Sequence, residues 1–259
     1  MASVPVPPLS SEVIATIGSF EVRNTLLMAW LAMAVLILIG LRLKATRYKL
    51  VPGRFQAFIE LIVEGLYDFF RSIFGDDGVT KRFFPLVATI FLFILTANWM
   101  GILPGVGSVL IKGMHDGHEE MLPVFRSMNA DVNMTLVFAV IAVVVTQIVG
   151  LTTLGIIPHM RKYIVMPWQK PYGIGTFVGL LEFVGEFARI ASFTFRLFGN
   201  IFAGEVLLVV MSFLVPYLVP IPFLGLELFV GVIQAMVFAM LTSVFIVMAM
   251  QSHGEEAHA

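Results

Sequence analysis

Leu181-Glu182-Phe183-Val184-Gly185-Glu186-Phe187-Ala188-Arg189, carried on through Phe195-Arg196-Leu197-Phe198-Gly199-Asn200 to Ala203-Gly204-Glu205, decides how this chain is read. The stretch is free of proline and apolar enough to lie in a membrane, yet five charges fall between Glu182 and Glu205. Ionisable side chains in hydrocarbon are expensive and mark ion or proton pathways. No proline interrupts the apolar pattern from Ile174 to Val215. At about 1.5 Å per residue such a helix is roughly 60 Å long, twice a ~30 Å hydrocarbon core, so it must tilt, break or extend beyond the core. Pro216, Pro220 and Pro222 then make a turn, and Phe223–Met250 is a second long apolar segment.

Working outward, the whole composition agrees. Of 259 residues 59% are hydrophobic and 13% charged, against the roughly 25% charged of soluble domains. The expected class is an all-α integral membrane protein in one membrane domain over 1–259. A net charge of -1 without a long basic tract gives no reason to expect nucleic acid as a partner. Cysteine is absent, which excludes disulfides, thiolate metal sites and cysteine nucleophiles. The first 22 residues hold neither Lys nor Arg, so they read as neither a signal nor a transit peptide.

Upstream of the long hairpin the windows are shorter. A first span is expected over 24–41, followed by Arg42, Lys44, Arg47, Lys49 and Arg54. The positive-inside rule makes that side cytoplasmic and the N-terminus external. Over 54–74, Phe55, Phe58, Ile59, Ile62, Leu66, Phe69 and Ile73 recur on one helical face. That amphipathic helix either lies in the membrane interface or packs on another subunit. Further spans are expected over 83–103, with Asn98 near its end, and over 132–154, which Asp131 suits as N-cap; Asn98 and Asp131 are also candidates for a channel entry. The external segment between them carries His115, Asp116, His118, Glu119 and Glu120, a group able to collect protons at a channel entry or to ligate a metal. An open solvated loop is the default, and no metal site is expected. His159, Arg161, Lys162 and Lys170 make the next loop basic, hence cytoplasmic, and the last segment returns the C-terminus to that side. The fold expected is thus about five membrane helices plus one interfacial helix, the last two (174–250) long and tilted as an antiparallel hairpin, before a polar tail at 251–259.

Glu182, Glu186, Arg189, Phe193, Arg196 and Asn200 keep a 4-3-4-3-4 spacing that holds them on one face of a helix. Such a polar stripe should face a water-filled cavity or a partner. Glu186 and Arg189, three apart, can neutralise each other. Arg196 has no acidic residue three or four positions away, and its charge is permanent. Left unpaired at mid-membrane it would cost at least about 2.5 kcal/mol, so a separate chain supplies a carboxylate or the side chain snorkels to an interface. In an antiparallel hairpin Arg196 falls level with Gln234, and Glu205 level with Glu227. Glu205, nine residues on, is turned to the far side of the helix from Arg196 and serves a different space.

These residues resemble subunit a of the F-type ATP synthases. The resemblance rests on Arg196-Leu197-Phe198-Gly199-Asn200 with Ala203-Gly204-Glu205, and on Gln234-Ala235 with Leu241-Thr242. It is extended by Val51-Pro52-Gly53 with Gln56 and Glu60, by Asp131-Val132-Asn133-Met134-Thr135 and by Leu181-Glu182-Phe183. It implies a proton-translocating stator subunit beside a rotating, carboxylate-bearing c ring, held by peripheral stalk b subunits in the lipid bilayer of a bacterial inner membrane. Arg196 would be the essential arginine with Gln234 and Asn200 near it, Glu205 and Glu227 would line the external half-channel, and Glu182 and Arg189 would support them. A histidine is common in the family where this chain has Glu227. No cofactor is implied, and the chain carries no nucleotide loop, zinc signature or nucleophile constellation, so ATP chemistry is assigned to other subunits. The competing readings are a self-contained secondary transporter in which Arg196 binds an anionic substrate, and a structural membrane scaffold. The lack of an inverted repeat counts against the transporter.

Overall fold

The computed structural model describes residues 11–45, 52–115, 118–161, 174–216 and 218–251. Arg47, Lys49, Asp116, Lys162, Lys170 and the tail from Ser252 lie outside the described residues. Among the described residues seven α-helices carry the fold: α1 (Asn24–Ala45), α2 (Arg54–Phe74), α3 (Asp77–Ile102), α4 (Val132–Leu154), α5 (Ile156–Arg161), α6 (Ile174–Leu214) and α7 (Pro220–Met250). Of these α1, α3, α4, α6 and α7 are long and apolar enough to cross a membrane. The fold is α-helical and membrane-spanning, and its last two helices form the long hairpin.

The charged stripe does not interrupt α6, which runs unbroken for 41 residues. Without solvent every backbone group in hydrocarbon must bond within its own segment, which a continuous helix achieves. Hydroxyls obey the same constraint: Thr146, Thr194, Thr242 and Ser243 each donate to the carbonyl four residues earlier, at 2.8–2.9 Å. Helix α7 is the hub and packs against α2, α3, α4 and α6. Its buried residues Gly231, Ala235, Ala239 and Ser243 recur every fourth position, and such small side chains let neighbouring helices approach closely. Val87, Phe91 and Ile94 of α3, Ala139 and Ala142 of α4, and Phe193, Leu197 and Ile201 of α6 complete this core.

Helix α2 ends where Gly75 takes φ 74°, a left-handed conformation that suits glycine, and its N–H bonds the Arg71 carbonyl at 2.9 Å. The next helix starts at once, because the Asp76 carboxylate accepts from the Val79 N–H at 2.8 Å. The charged first turns of α3 thus precede its apolar part. Asp77 there accepts from the Tyr67 hydroxyl at 2.8 Å and pairs with Lys81 at 2.6 Å, tying α2 to α3 outside the apolar region. The buried face of α2, Leu66, Phe70 and Phe74, joins the core cluster, while Phe55, Phe58 and Leu61 are exposed.

Two hairpins depart from the sequence expectation. Val13–Ile17 (β1) and Phe20–Arg23 (β2) pair antiparallel ahead of α1, in a segment given no structure above. Following the short strand β3 (Pro104–Gly107), Leu110–His115 (β4) pairs with His118–Pro123 (β5), with His115 opposite His118. The expected open loop is therefore a two-stranded hairpin, whose ladder satisfies backbone groups that its glycines and charges did not advertise.

Candidate functional site

Two helices of the hairpin meet where a glycine faces a glutamate. A Cβ on Gly204 of α6 would fall inside the carboxylate of Glu227 on α7. Eleven residues back along α6, the Phe193 ring lies 4.7 Å from that of Phe238, centroid to centroid. Both contacts fit the register in which Glu205 lies level with Glu227 and Arg196 level with Gln234.

Beside this crossing lies a cavity of about 210 Å³, lined by Asn98, Arg126, Ser127, Glu205 and Glu227 together with apolar side chains such as Ile201 and Leu208. It brings together Glu205 and Glu227, which were expected to share a space, and Asn98, which was expected near a channel entry. It also contains a residue the sequence reading did not single out. Arg126, only 4% exposed, donates through Nε to Glu205 Oε1 at 3.1 Å and through Nη2 to Oε2 at 3.3 Å. The two-pronged geometry suits a planar guanidinium. The sequence signal was present but weak: Arg126 is a lone basic residue in an otherwise uncharged segment from Met121 to Ala130.

The cavity wall is held by a buried polar chain. Asn98 Nδ2 donates to the Gly231 carbonyl at 3.0 Å, and Asn129 Nδ2 donates to Asn98 Oδ1 at 2.6 Å. Trp99 Nε1 donates to the Leu228 carbonyl at 3.2 Å, so α3 grips α7 at two carbonyls a turn apart. Asp131 caps α4 by accepting from the Asn133 N–H at 2.9 Å and accepts from the Thr25 hydroxyl of α1 at 3.1 Å. It is not among the residues lining the cavity and takes the role its capping position suggested. Ser127 Oγ and Asn129 Oδ1 are buried without a hydrogen-bond partner among the described residues. Polar groups of this kind beside a cavity of this size are suited to ordered water.

The stripe on α6 divides. Glu186 and Arg189 pair at 2.7 Å as their spacing suggested, and the Arg189 guanidinium carbon lies 4.4 Å from the Phe245 ring centroid on α7. Phe193 is buried at 4%, whereas Arg196 and Asn200 are exposed and Glu182 is half-buried. The expectation of one polar face is corrected on this point. The stripe follows the edge of the packed face of α6, so that small angular differences decide which members turn inward against α4 and α7. Arg196 donates to Ser192 Oγ at 3.2 Å and meets no carboxylate among the described residues. Gln234 is half-buried next to buried Ala235.

Of the remaining candidates, His115 and His118 face each other at the turn of the β4–β5 hairpin, at the opposite end of β5 from Pro123, which lines the cavity. His159, read above as part of a basic loop, lies in α5 and is 5% exposed, packed against α4. Its Nε2 lies 2.8 Å from Gln147 Oε1, and a Cβ on Gly150 would come within 2.6 Å of its ring.

Comparison with known proteins adds to this geometry. The family model described as ATP synthase A chain matches residues 26–247. A protein named ATP synthase subunit a from Geotalea daltonii is 35% identical over 231 residues, 88% of this chain and 86% of its own length. A namesake from Syntrophobacter fumaroxidans is 32% identical over 88% of this chain and 84% of its own. ATP synthase subunit a 2 of Syntrophotalea carbinolica is 34% identical over 96% of this chain and 92% of its own.

Proposed function

The chain belongs to the ATP synthase A chain family, and from that premise we propose how its residues work as the proton-translocating stator subunit of an F-type ATP synthase. The observation that carries the site assignment is Arg196, a permanent cation standing exposed on a membrane helix with no carboxylate among the described residues to neutralise it. Its counter-charge comes from a moving partner, the carboxylate of a c-ring subunit. As that group nears Arg196 its ionised form is favoured, so it gives up its proton. Arg196 also repels protons that would leak past it, which obliges them to ride on the rotor. Each charge so carried is worth about 2.3 kcal/mol per 100 mV. Asn200, exposed one turn further along α6, and Gln234, level on α7, are the neutral polar neighbours of this contact.

The cavity holding Glu205 and Glu227 is the external half-channel. Its polar lining and its position nine residues beyond Arg196, roughly 13 Å along the helix, support a proton route offset from the arginine. Asn98 supports the wall and Asp131 caps α4 beside it, while Glu186 and Arg189 hold α6 against α4 and α7 and Glu182 continues their stripe. The subunit performs no chemistry on ATP. The exposed apolar residues Phe55, Phe58 and Leu61 of α2 support contact with lipid headgroups or with the peripheral stalk b subunits. Arg42 and Lys44 in the last turn of α1 support a cytoplasmic end there, an external N-terminus and a cytoplasmic C-terminus in a bacterial inner membrane. Family membership does not favour a self-contained transporter that uses Arg196 to bind an anionic substrate.

The chain contains no cysteine, which makes a clean test available. Asn200→Cys in the assembled complex should crosslink to a cysteine placed beside the rotor carboxylate. Crosslinking only to lipid-facing or non-rotor subunits would overturn the assignment of this face.

A further inference from the structure

The cavity between α6 and α7 contains two carboxylates, and they are not equivalent. Glu205 is engaged through both oxygens by a guanidinium that is itself 96% buried, since Arg126 is only 4% exposed. Glu227 is 7% exposed and has no hydrogen bond or ion pair among the described residues. Both line the same cavity. Among the described residues the charged groups that share the cavity with Glu227 are Glu205 from α6 and Arg126 from the segment before α4, whereas α3 contributes the neutral Asn98 and Gly101. Arginine does not lose its proton in proteins, so the group it grips at two points remains its anionic counterpart. Proton traffic needs a group that changes state, and only one of the two carboxylates is unencumbered.

We propose that Arg126 locks Glu205 into a permanent ion pair, making Arg126 a positioning residue and leaving Glu227 as the group that takes up and releases the translocated proton. This rests on the half-channel reading above and assigns unequal parts within it. A proton arriving through water in the cavity adds to a Glu227 carboxylate oxygen. It leaves from that carboxyl to the rotor carboxylate, returning Glu227 to its anion. The Arg126–Glu205 pair keeps its charges throughout. Its near-neutral sum holds the cavity polar without setting a trap for the proton, and Gly204, lacking a side chain, gives the Glu227 carboxylate room to move.

The test is passive proton flow through the membrane part of the assembled complex, in vesicles stripped of the catalytic head and driven by a potassium diffusion potential. Flow is normalised to the amount of subunit assembled. Glu227→Gln should abolish flow. Glu205→Gln and Arg126→Gln should each lose most of it, because each leaves an uncompensated buried charge. The pair Arg126→Gln with Glu205→Gln should recover much of what either single change loses, and the exchanged pair Arg126→Glu with Glu205→Arg should also conduct. If both paired variants assemble and conduct no better than Glu205→Gln, Glu205 itself carries the proton and the inference falls, while the half-channel reading stands. Full flow in Glu227→Gln would overturn the inference, and full flow in Glu205→Gln as well would overturn the half-channel reading.

Discussion

Gly204 and Glu227 contend for one volume at the crossing of α6 and α7, where any β-carbon on the first would displace the carboxylate of the second. The displaced atoms are the far end of a flexible side chain, so the helices need not separate. Gly204→Ala is expected to leave assembly and thermal stability nearly unchanged. It should slow passive proton flow by about tenfold, equivalent to some 1.4 kcal/mol on the barrier. A fall in stability with flow per assembled subunit unaltered would show that Gly204 serves packing alone.

Asn98 joins α3 to α7 and to Asn129 through buried hydrogen bonds of 3.0 and 2.6 Å. Asn98→Leu strands the Asn129 amide and is expected to cost about 1–3 kcal/mol. The readout is the thermal release of this subunit from the detergent-solubilised complex. The Asn98→Leu change combined with Asn129→Leu should cost less than Asn98→Leu alone, because no buried donor is then left without an acceptor.

The Glu186–Arg189 pair has side chains 13% and 22% exposed and lies against Phe245. Glu186→Gln leaves the arginine under-compensated between α4, α6 and α7. A loss of about 2 kcal/mol is expected after allowing for partial screening, and Glu186→Gln with Arg189→Gln should lose less. A double-mutant cycle on the melting of the complex measures the difference, and strictly additive losses would show that the two residues act independently.

Asp131 caps α4 and holds α1 through Thr25. Asp131→Ala should destabilise the subunit by about 1–2 kcal/mol. Proton flow through the molecules that assemble should be normal, since Asp131 is not among the residues lining the cavity. Flow reduced at full assembly would place Asp131 on the proton route.

Much of this architecture was legible in the sequence, for a physical reason: hydrocarbon imposes one local rule, that apolar residues run on for the length of a helix, and that rule shows in α1, α3, α4, α6 and α7. The amphipathic spacing of α2 and the prolines before α7 were equally local. What stayed hidden depends on contacts across the chain. Arg126 and Glu205 are 79 residues apart and share no helix, so periodicity could not join them. Like Arg196, Glu205 has no opposite charge three or four positions away in its own helix, and its rotation away from Arg196 pointed to a different companion. The hairpin β4–β5 was missed because glycines and charges read as loop while its stability comes from pairing. The stripe on α6 was legible as a line, but only packing determined that Arg189 turns inward and Arg196 outward.

The most direct test of the account replaces Arg196 by alanine in the complete ATP synthase and measures ATP-driven proton pumping in inverted membrane vesicles, with assembly followed on a native gel. The account predicts that the complex assembles with this subunit in place and that pumping is abolished, because nothing remains to discharge the rotor carboxylate or to block leakage between the half-channels. Pumping at the unaltered rate in a fully assembled complex would contradict it.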